Sequence, residues 1–596
     1  MTAVLLPAGH DQPVLAPTPR RGDRLRMALS RFGAAPMLLF WLVIVGILVL
    51  PIVLFLVVAV SPRLMDQGSQ WFTLAGFRQA FTGQLLRGSI NSLFVGAVSA
   101  VVATAIGFGV AWAVIRTDVP GRRLWAGSMY ALLLAPSYMV ALGWQRLLEP
   151  MGVLDLMGLH PGGFRTLFYG PFGVIVVLTL KGVPFSYLAV SAALRGLGEE
   201  FEVAARVHGA SRAGSLRIVL SLLAPAMWSA LAIVFAESIS DFGVADTLAN
   251  AAHFPIATYT LYNAIDSFPV SFPVAASVGW VLMAMAGLAL AAQARALRGR
   301  SYRVLGGRSR PPRLARLSAA KKYEISTALV LLMVIALGVP VFGAVSASLI
   351  NGLGSLVGNH TLTLANYRRV FDSSALRGPL FYSARLALVT ATLTVAMAVI
   401  SARMLAGRGG RLGARVLDLM LLTAVALPGI VFAAGYIFTY NLRFVNNLGL
   451  HLYETTPLLV LGYLATALPS TTRVLFGPIG QVQNSLQEAA RVHGSGAAHS
   501  WMRTVLPVLA RPLIAAWVLT FAGTLLELPV SELLYPPNHP PVSIGITHAL
   551  ANYDYGGGTA MEVIAVLFSL TVVALVWGAF RLLAPAGWRR LGKATA

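Results

Sequence analysis

The sequence predicts an all-α polytopic membrane protein, with about twelve transmembrane helices arranged as two parallel six-helix repeats. Three observations carry this. Only 11% of the 596 residues are charged and 57% are hydrophobic, whereas a soluble domain carries roughly 25% charged residues. The apolar residues also fall in long blocks. Met37 to Val60 contains no charged residue, and roughly 20 such residues cross a bilayer core. Finally, the two halves of the chain repeat each other in sequence.

Residues 1–36, rich in Pro and Arg, read as a solvated cytoplasmic tail, because the apolar block that follows is too long for a signal peptide. The first repeat, 37–294, holds spans at about 37–60, 90–115, 124–145, 170–192, 223–244 and 273–294. Residues 295–322 form a basic cytoplasmic linker with ten Lys or Arg, no acidic residue and the breaker pair Pro311-Pro312. The second repeat, 323–582, holds spans at about 325–350, 381–402, 416–439, 456–472, 512–530 and 560–580. Residues 583–596 form a cytoplasmic tail. All spans should be helical, since a helix satisfies its own backbone groups in lipid. Pro136, Pro184 and Pro428 are expected to kink their spans without ending them.

Positive charge fixes the orientation. With both termini inside, 34 of the 45 Lys and Arg fall on cytoplasmic segments and 9 on external ones, while Lys181 and Arg385 lie within spans. That asymmetry favours a bacterial inner-membrane protein with both termini cytoplasmic. It also accounts for the net charge of +23 without nucleic acid, since the arginines sit at the ends of apolar blocks. The absence of cysteine excludes disulfides and thiolate metal sites. No histidine pair has ligand spacing, so no metal centre is expected.

The repeat is visible in two places. Phe72-Thr73-Leu74-Ala75-Gly76-Phe77-Arg78 returns as Leu362-Thr363-Leu364-Ala365-Asn366-Tyr367-Arg368, and Ala205-Arg206-Val207-His208-Gly209 returns as Ala490-Arg491-Val492-His493-Gly494. An even number of spans per copy keeps both copies in one orientation, so the pseudo-symmetry axis runs along the membrane normal. A solute path between the halves follows from that symmetry.

The second of these repeats lies in the cytoplasmic loop between spans four and five. In the second half it reads Leu486-Gln487-Glu488-Ala489-Ala490-Arg491-Val492-His493-Gly494 and runs on to Leu506-Pro507. This resembles the EAA loop of permease subunits of binding-protein-dependent ABC importers. Glu488, Ala489, Ala490, Gly494, Leu506 and Pro507 sit at the spacing of that motif, and Thr504 departs from it. The first copy keeps Ala204, Ala205 and Gly209, with Glu202 beside the position of the glutamate and Val203 upon it. Its proline position is Leu222. The physics suits a docking element. Glutamate favours a helix start, alanines permit close approach, glycine permits a sharp turn, and Arg206 and Arg491 are able to pair with acidic groups. In that family the loop is the helix that couples to an ATP-binding subunit. The resemblance covers about residues 70–295 and 360–585. It implies the type I importer permease fold, a separate pair of ABC ATPase subunits (a homodimer) and an extracytoplasmic solute-binding protein.

The chain itself shows no ATPase. Gly587 to Lys593 has the glycine spacing of a phosphate loop, but Ala594 stands where Ser or Thr must bind magnesium. No nucleophile–base pair is evident, so neither enzyme activity nor a cofactor is expected. Lys181, Glu237, Asp241, Arg385 and Glu527 lie in or at the edges of spans. Such charges face a pathway or pair with one another, and Glu237 and Glu527 occupy equivalent spans. His208 and His493 also match and read as packing or interface residues. A six-plus-six major-facilitator transporter is the alternative, because Asp118 to Arg123 resembles its loop between spans two and three, without that motif's glycine at Val114. Within the importer family, Asp241-Phe242-Gly243 and Glu527-Leu528-Pro529 resemble the ferric iron group. Thiamine, phosphonate and polyamine are the other candidate substrates.

Overall fold

A computed structural model describes residues 37–65, 69–198, 200–209, 211–298, 314–353, 361–407, 411–425, 427–482, 484–492, 494, 496, 499 and 501–585. Most of both tails, the central stretch of the linker and His493 lie outside these residues. The first half contains α1 (Met37–Val58), the short α2 (Ala75–Ala80), α3 (Gly83–Arg116), α4 (Arg122–Leu134), α5 (Ser137–Leu148), α6 (Pro171–Gly196), the short α7 (Glu200–Val207), α8 (Arg212–Ser240), α9 (Ala257–Asp266) and α10 (Phe272–Ala296). The second half repeats the series. It runs through α11 (Ala319–Leu349), α12 (Ala365–Asp372), α13 (Ser374–Ala406), α14 (Arg411–Val425), α15 (Gly429–Tyr440), α16 (Thr456–Gln481), α17 (Asn484–Val492), α18 (Trp501–Leu525), α19 (Pro529–Leu534), α20 (Val542–Ala551) and α21 (Tyr555–Leu583).

Ten of these helices are long and apolar enough to cross a membrane, and the count reaches twelve if each of two bent pairs is one span. Those pairs correct the expectation for two prolines. Pro184 lies inside the unbroken α6. At Pro136 the helix stops instead, and α4 and the next segment meet at 92°. At Pro428 the equivalent bend is 107°. The residue before a proline is pushed out of the helical region, and Ala135 is accordingly extended at ψ 120°. The fifth spans also end earlier than expected, at Ser240 and Leu525, which leaves Asp241 and Glu527 just beyond the helix ends.

The halves are interlocked by their first helices. α1 packs on α15 of the second half, and α11 packs on α5 of the first. Each carries an internal proline, Pro51 or Pro340, preceded by a π-helical turn at Val45–Val49 or Val334–Gly338. A proline in a helix has no N–H for the carbonyl four residues back. In α1 that carbonyl belongs to Ile47, and the Tyr436 hydroxyl of α15 donates to it at 2.9 Å. Glycine permits the close crossing. A Cβ on Gly143 would lie 2.3 Å from the Pro340 carbonyl oxygen, and one on Gly435 would lie 2.8 Å from that of Pro51. Gly143→Val is therefore expected to destabilise the pairing of the halves by about 3 kcal/mol or more, since the obstacle is backbone. A fall of several degrees in the detergent melting temperature checks this, with Gly127→Val, which meets nothing within 4 Å, as control.

The repeated Thr-Leu-Ala segments form α2 and α12, whose first N–H groups are met by Thr73 and Thr363 hydroxyls at 3.2 and 3.0 Å. The linker's far end is pinned to the first half. Ala315 bridges Thr117, and Asp118 accepts from the Leu317 N–H at 2.9 Å and pairs with Lys322 at 2.7 Å. Lys322 and that N–H hold the Asp118 carboxyl below its ordinary 3.8. A lowered value means the clamp is fully present above the ordinary range and is lost only as pH falls through the lowered one. Asp118→Ala should therefore speed amide exchange across 314–322 at neutral pH, while the native chain stays protected under mild acid.

Candidate functional site

The two halves meet around a cavity of about 280 Å³ lined by matched segments. Pro136, Ser137 and Tyr138 come from the first half's break, and Pro428 and Gly429 from the second's. Asp241, Phe242 and Gly243 follow α8, and Leu528 and Pro529 follow α18. Glu237, on the last turns of α8, is exposed and lines the same space with no hydrogen bond among the described residues. Glu237 and Asp241 supply two carboxylates, and among the described residues no Lys or Arg is in the lining.

The hydrogen bonds show which residues correspond. Asp241 accepts from the Val244 N–H at 2.7 Å, and its carbonyl accepts from the Thr258 hydroxyl at 3.0 Å. Glu527 accepts from the Val530 and Ser531 N–H groups at 2.8 and 3.0 Å, and its carbonyl accepts from the Ser543 hydroxyl at 2.6 Å. A carboxylate that ends one helix thus caps the next turn in both halves. Within these equivalent spans the residue that matches Glu527 in its hydrogen bonds is Asp241, and Glu237 lies one turn earlier. Outside this pair, Ser92 and Ser383 hydroxyls each accept the first N–H of α9 and α20, at 2.9 and 2.8 Å.

Lys181 has a different task. Its ammonium donates to the carbonyls of Leu132, Leu133 and Ala135, which the break at Pro136 leaves without helical partners. It also lies near enough to Asp241 and Glu237 to feel both charges. Thr466 stands at the matching position of α16, as the alignment of Pro184 with Pro469 shows. Arg385 lies exposed on α13 and joins none of this.

The loops between spans four and five form α7 and α17, each followed by a left-handed glycine, Gly209 at φ 81° and Gly494 at φ 80°. A Cβ on either would touch nothing within 4 Å, so the backbone conformation alone explains glycine there. Val207 and Val492, at matching positions, are 78% and 85% exposed. Such paired apolar residues standing clear of the protein suit a partner's surface. Ala205 is buried, Glu488 and Ala489 are exposed, and Ala490 is half-buried. The side chains of Glu202, Ala204, Arg206 and Arg491 lie outside the described residues. Pro507 lies inside α18, just after the π turn Trp501–Val505 that opens it, the same arrangement as at Pro51 in α1. His208 is exposed.

The cavity residues around Pro136 and Pro428 are absent from the sequence expectation. Leu134-Ala135-Pro136-Ser137 and Ala426-Leu427-Pro428-Gly429 share only the proline, so the correspondence shows in the structure and not in the sequence.

Comparison with known proteins agrees with this architecture. Residues 397–586 match the family described as binding-protein-dependent transport system inner membrane component. The ferric transport system permease protein FbpB of Actinobacillus pleuropneumoniae is 24% identical over 505 residues, covering 82% of this chain and 71% of its own. A probable ABC transporter permease of Sinorhizobium fredii, y4fN, is 25% identical over 81% of this chain and 86% of its own. The sulfate transport system permease protein CysT of Salmonella typhimurium is 27% identical over 35% of this chain and 73% of its own. The major-facilitator alternative falls with these matches, and Asp118, which suggested it, clamps the linker. Residues 397–586 carry a binding-protein-dependent transport permease domain, and over more than 80% of its length the chain is similar to transport-system permease proteins.

Proposed function

We propose that this permease carries ferric iron inward, released by an extracytoplasmic solute-binding protein, and that a homodimer of separate ATPase subunits drives it through α7 and α17. The observation that carries the substrate is the cavity lining. Two carboxylates in the lining outnumber the one nearby ammonium, that of Lys181 behind the break at Pro136, which favours a cation over sulfate, molybdate or phosphonate. Hard oxygen donors suit trivalent iron. The ferric name of the Actinobacillus pleuropneumoniae relative points the same way. Both termini are cytoplasmic in this reading, so α7 and α17 face the ATPase. Closure of that dimer moves the two short helices together, and the interlocked halves pass the motion to the cavity, opening it to each side in turn. The chain itself holds no cofactor and performs no hydrolysis.

Uptake into vesicles carrying the complete transporter tests the substrate. Accumulation of labelled ferric iron, with none of labelled sulfate or molybdate, is expected. Transport of either anion without iron would overturn it.

A further inference from the structure

A second cavity, remote from the first, lies where α3, α4 and α6 converge on the side that charge asymmetry assigns to the cytoplasm. Its volume is about 800 Å³. Arg122, Arg123 and Arg195 line it together with Val114, Ile115 and Leu124. The Arg122 side chain is oriented by donation from its Nε to the Val114 carbonyl at 2.7 Å, which leaves its terminal amino groups for another partner. Arg123 and Arg195 are exposed. Among the described residues, no carboxylate pairs with any of the three.

We infer that this cavity binds the headgroup of an anionic phospholipid, with the acyl chains passing over Val114, Ile115 and Leu124. Three guanidinium groups converge on one space, and guanidinium matches phosphate oxygens in pairs. The neighbouring apolar lining gives a free phosphate nothing and a lipid a continuous surface. Basic pockets between spans on the cytoplasmic side suit such headgroups. The second half offers an internal comparison. Counting from the matched prolines, Arg122, Arg123 and Arg195 correspond to Ala414, Arg415 and Gly480, so only one of the three charges is repeated and the site belongs to the first half alone. It also has a consequence for coupling. Arg195 lies in the last turn of α6, and α7 begins at Glu200. Buried Arg116 donates to the Leu197 carbonyl between them at 3.0 Å. A headgroup held at Arg195 therefore braces the root of α7.

The test uses the full chain in nanodiscs of phosphatidylcholine doped with phosphatidylglycerol, with retained lipid identified by native mass spectrometry. The wild type is expected to retain phosphatidylglycerol over phosphatidylcholine. R122Q/R123Q/R195Q should lose it, by about fivefold for each arginine removed. R123Q alone serves if the triple variant folds poorly, because Arg123 is exposed and makes no hydrogen bond among the described residues. R415Q should retain the lipid. Equal retention by R123Q and wild type would overturn the inference. So would displacement of the lipid by inorganic phosphate at comparable concentration, which would mark a site for free anions.

Discussion

Replacing Gly494 with valine should uncouple the transporter while leaving the membrane domain assembled. The residue holds φ at 80° and a Cβ would meet no neighbour. The cost is therefore confined to the backbone, about 1–2 kcal/mol for an L-residue in that region, and falls on the turn that ends α17. The helix must then shift or fray where Val492 stands clear of the protein. ATP hydrolysis stimulated by the binding protein should fall about tenfold or more, with the melting temperature of the permease unchanged. Gly494→Asn is the discriminating control, since asparagine tolerates the left-handed region and should keep most of the activity. If valine and asparagine behave alike, side-chain bulk at the partner surface matters and backbone conformation does not. Gly209→Val should act in the same direction through α7.

The carboxylates in and beside the cavity should separate into two classes. Glu527→Ala removes an acceptor of two backbone N–H groups and of the Ser531 hydroxyl at 3.0 Å. Bonds to a charged group are worth about 1.5–3 kcal/mol each when their loss strands a buried donor, so this variant should unfold several degrees early as well as transport poorly. Glu237→Gln should do the opposite. Glu237 is exposed to the cavity and caps nothing, so its melting temperature should stay level. Uptake of the cation should fall roughly tenfold through the lost charge. Melting curves measured beside initial uptake rates check both. A Glu237→Gln protein with normal uptake would remove that residue from the pathway.

The contrast between these residues also marks what was legible in the sequence. The turn glycines were readable because a left-handed position acts through one residue's own backbone. Span number and the repeat were readable for a similar reason, since apolar length and offset are local properties. The breaks at Pro136 and Pro428 were not, because a proline ends a helix only where something else meets the freed carbonyls. At Pro136 that something is Lys181, from a helix 45 residues further along. The interlocking of α1 and α11 was hidden for the same reason. Nothing around Gly143 announces that Pro340 lies against it. The match of Asp241 with Glu527, across side chains of different length, became visible only through the shared hydrogen bonds to Thr258 and Ser543.

The most direct measurement is ATP hydrolysis by the permease purified in nanodiscs with the ATPase encoded beside it, with and without the loaded binding protein. The account predicts a stable complex whose hydrolysis rises with the binding protein, and loses that rise when Gly494 and Glu488 are replaced together. A permease that recruits no ATPase, or loop variants that respond like the wild type, would contradict it.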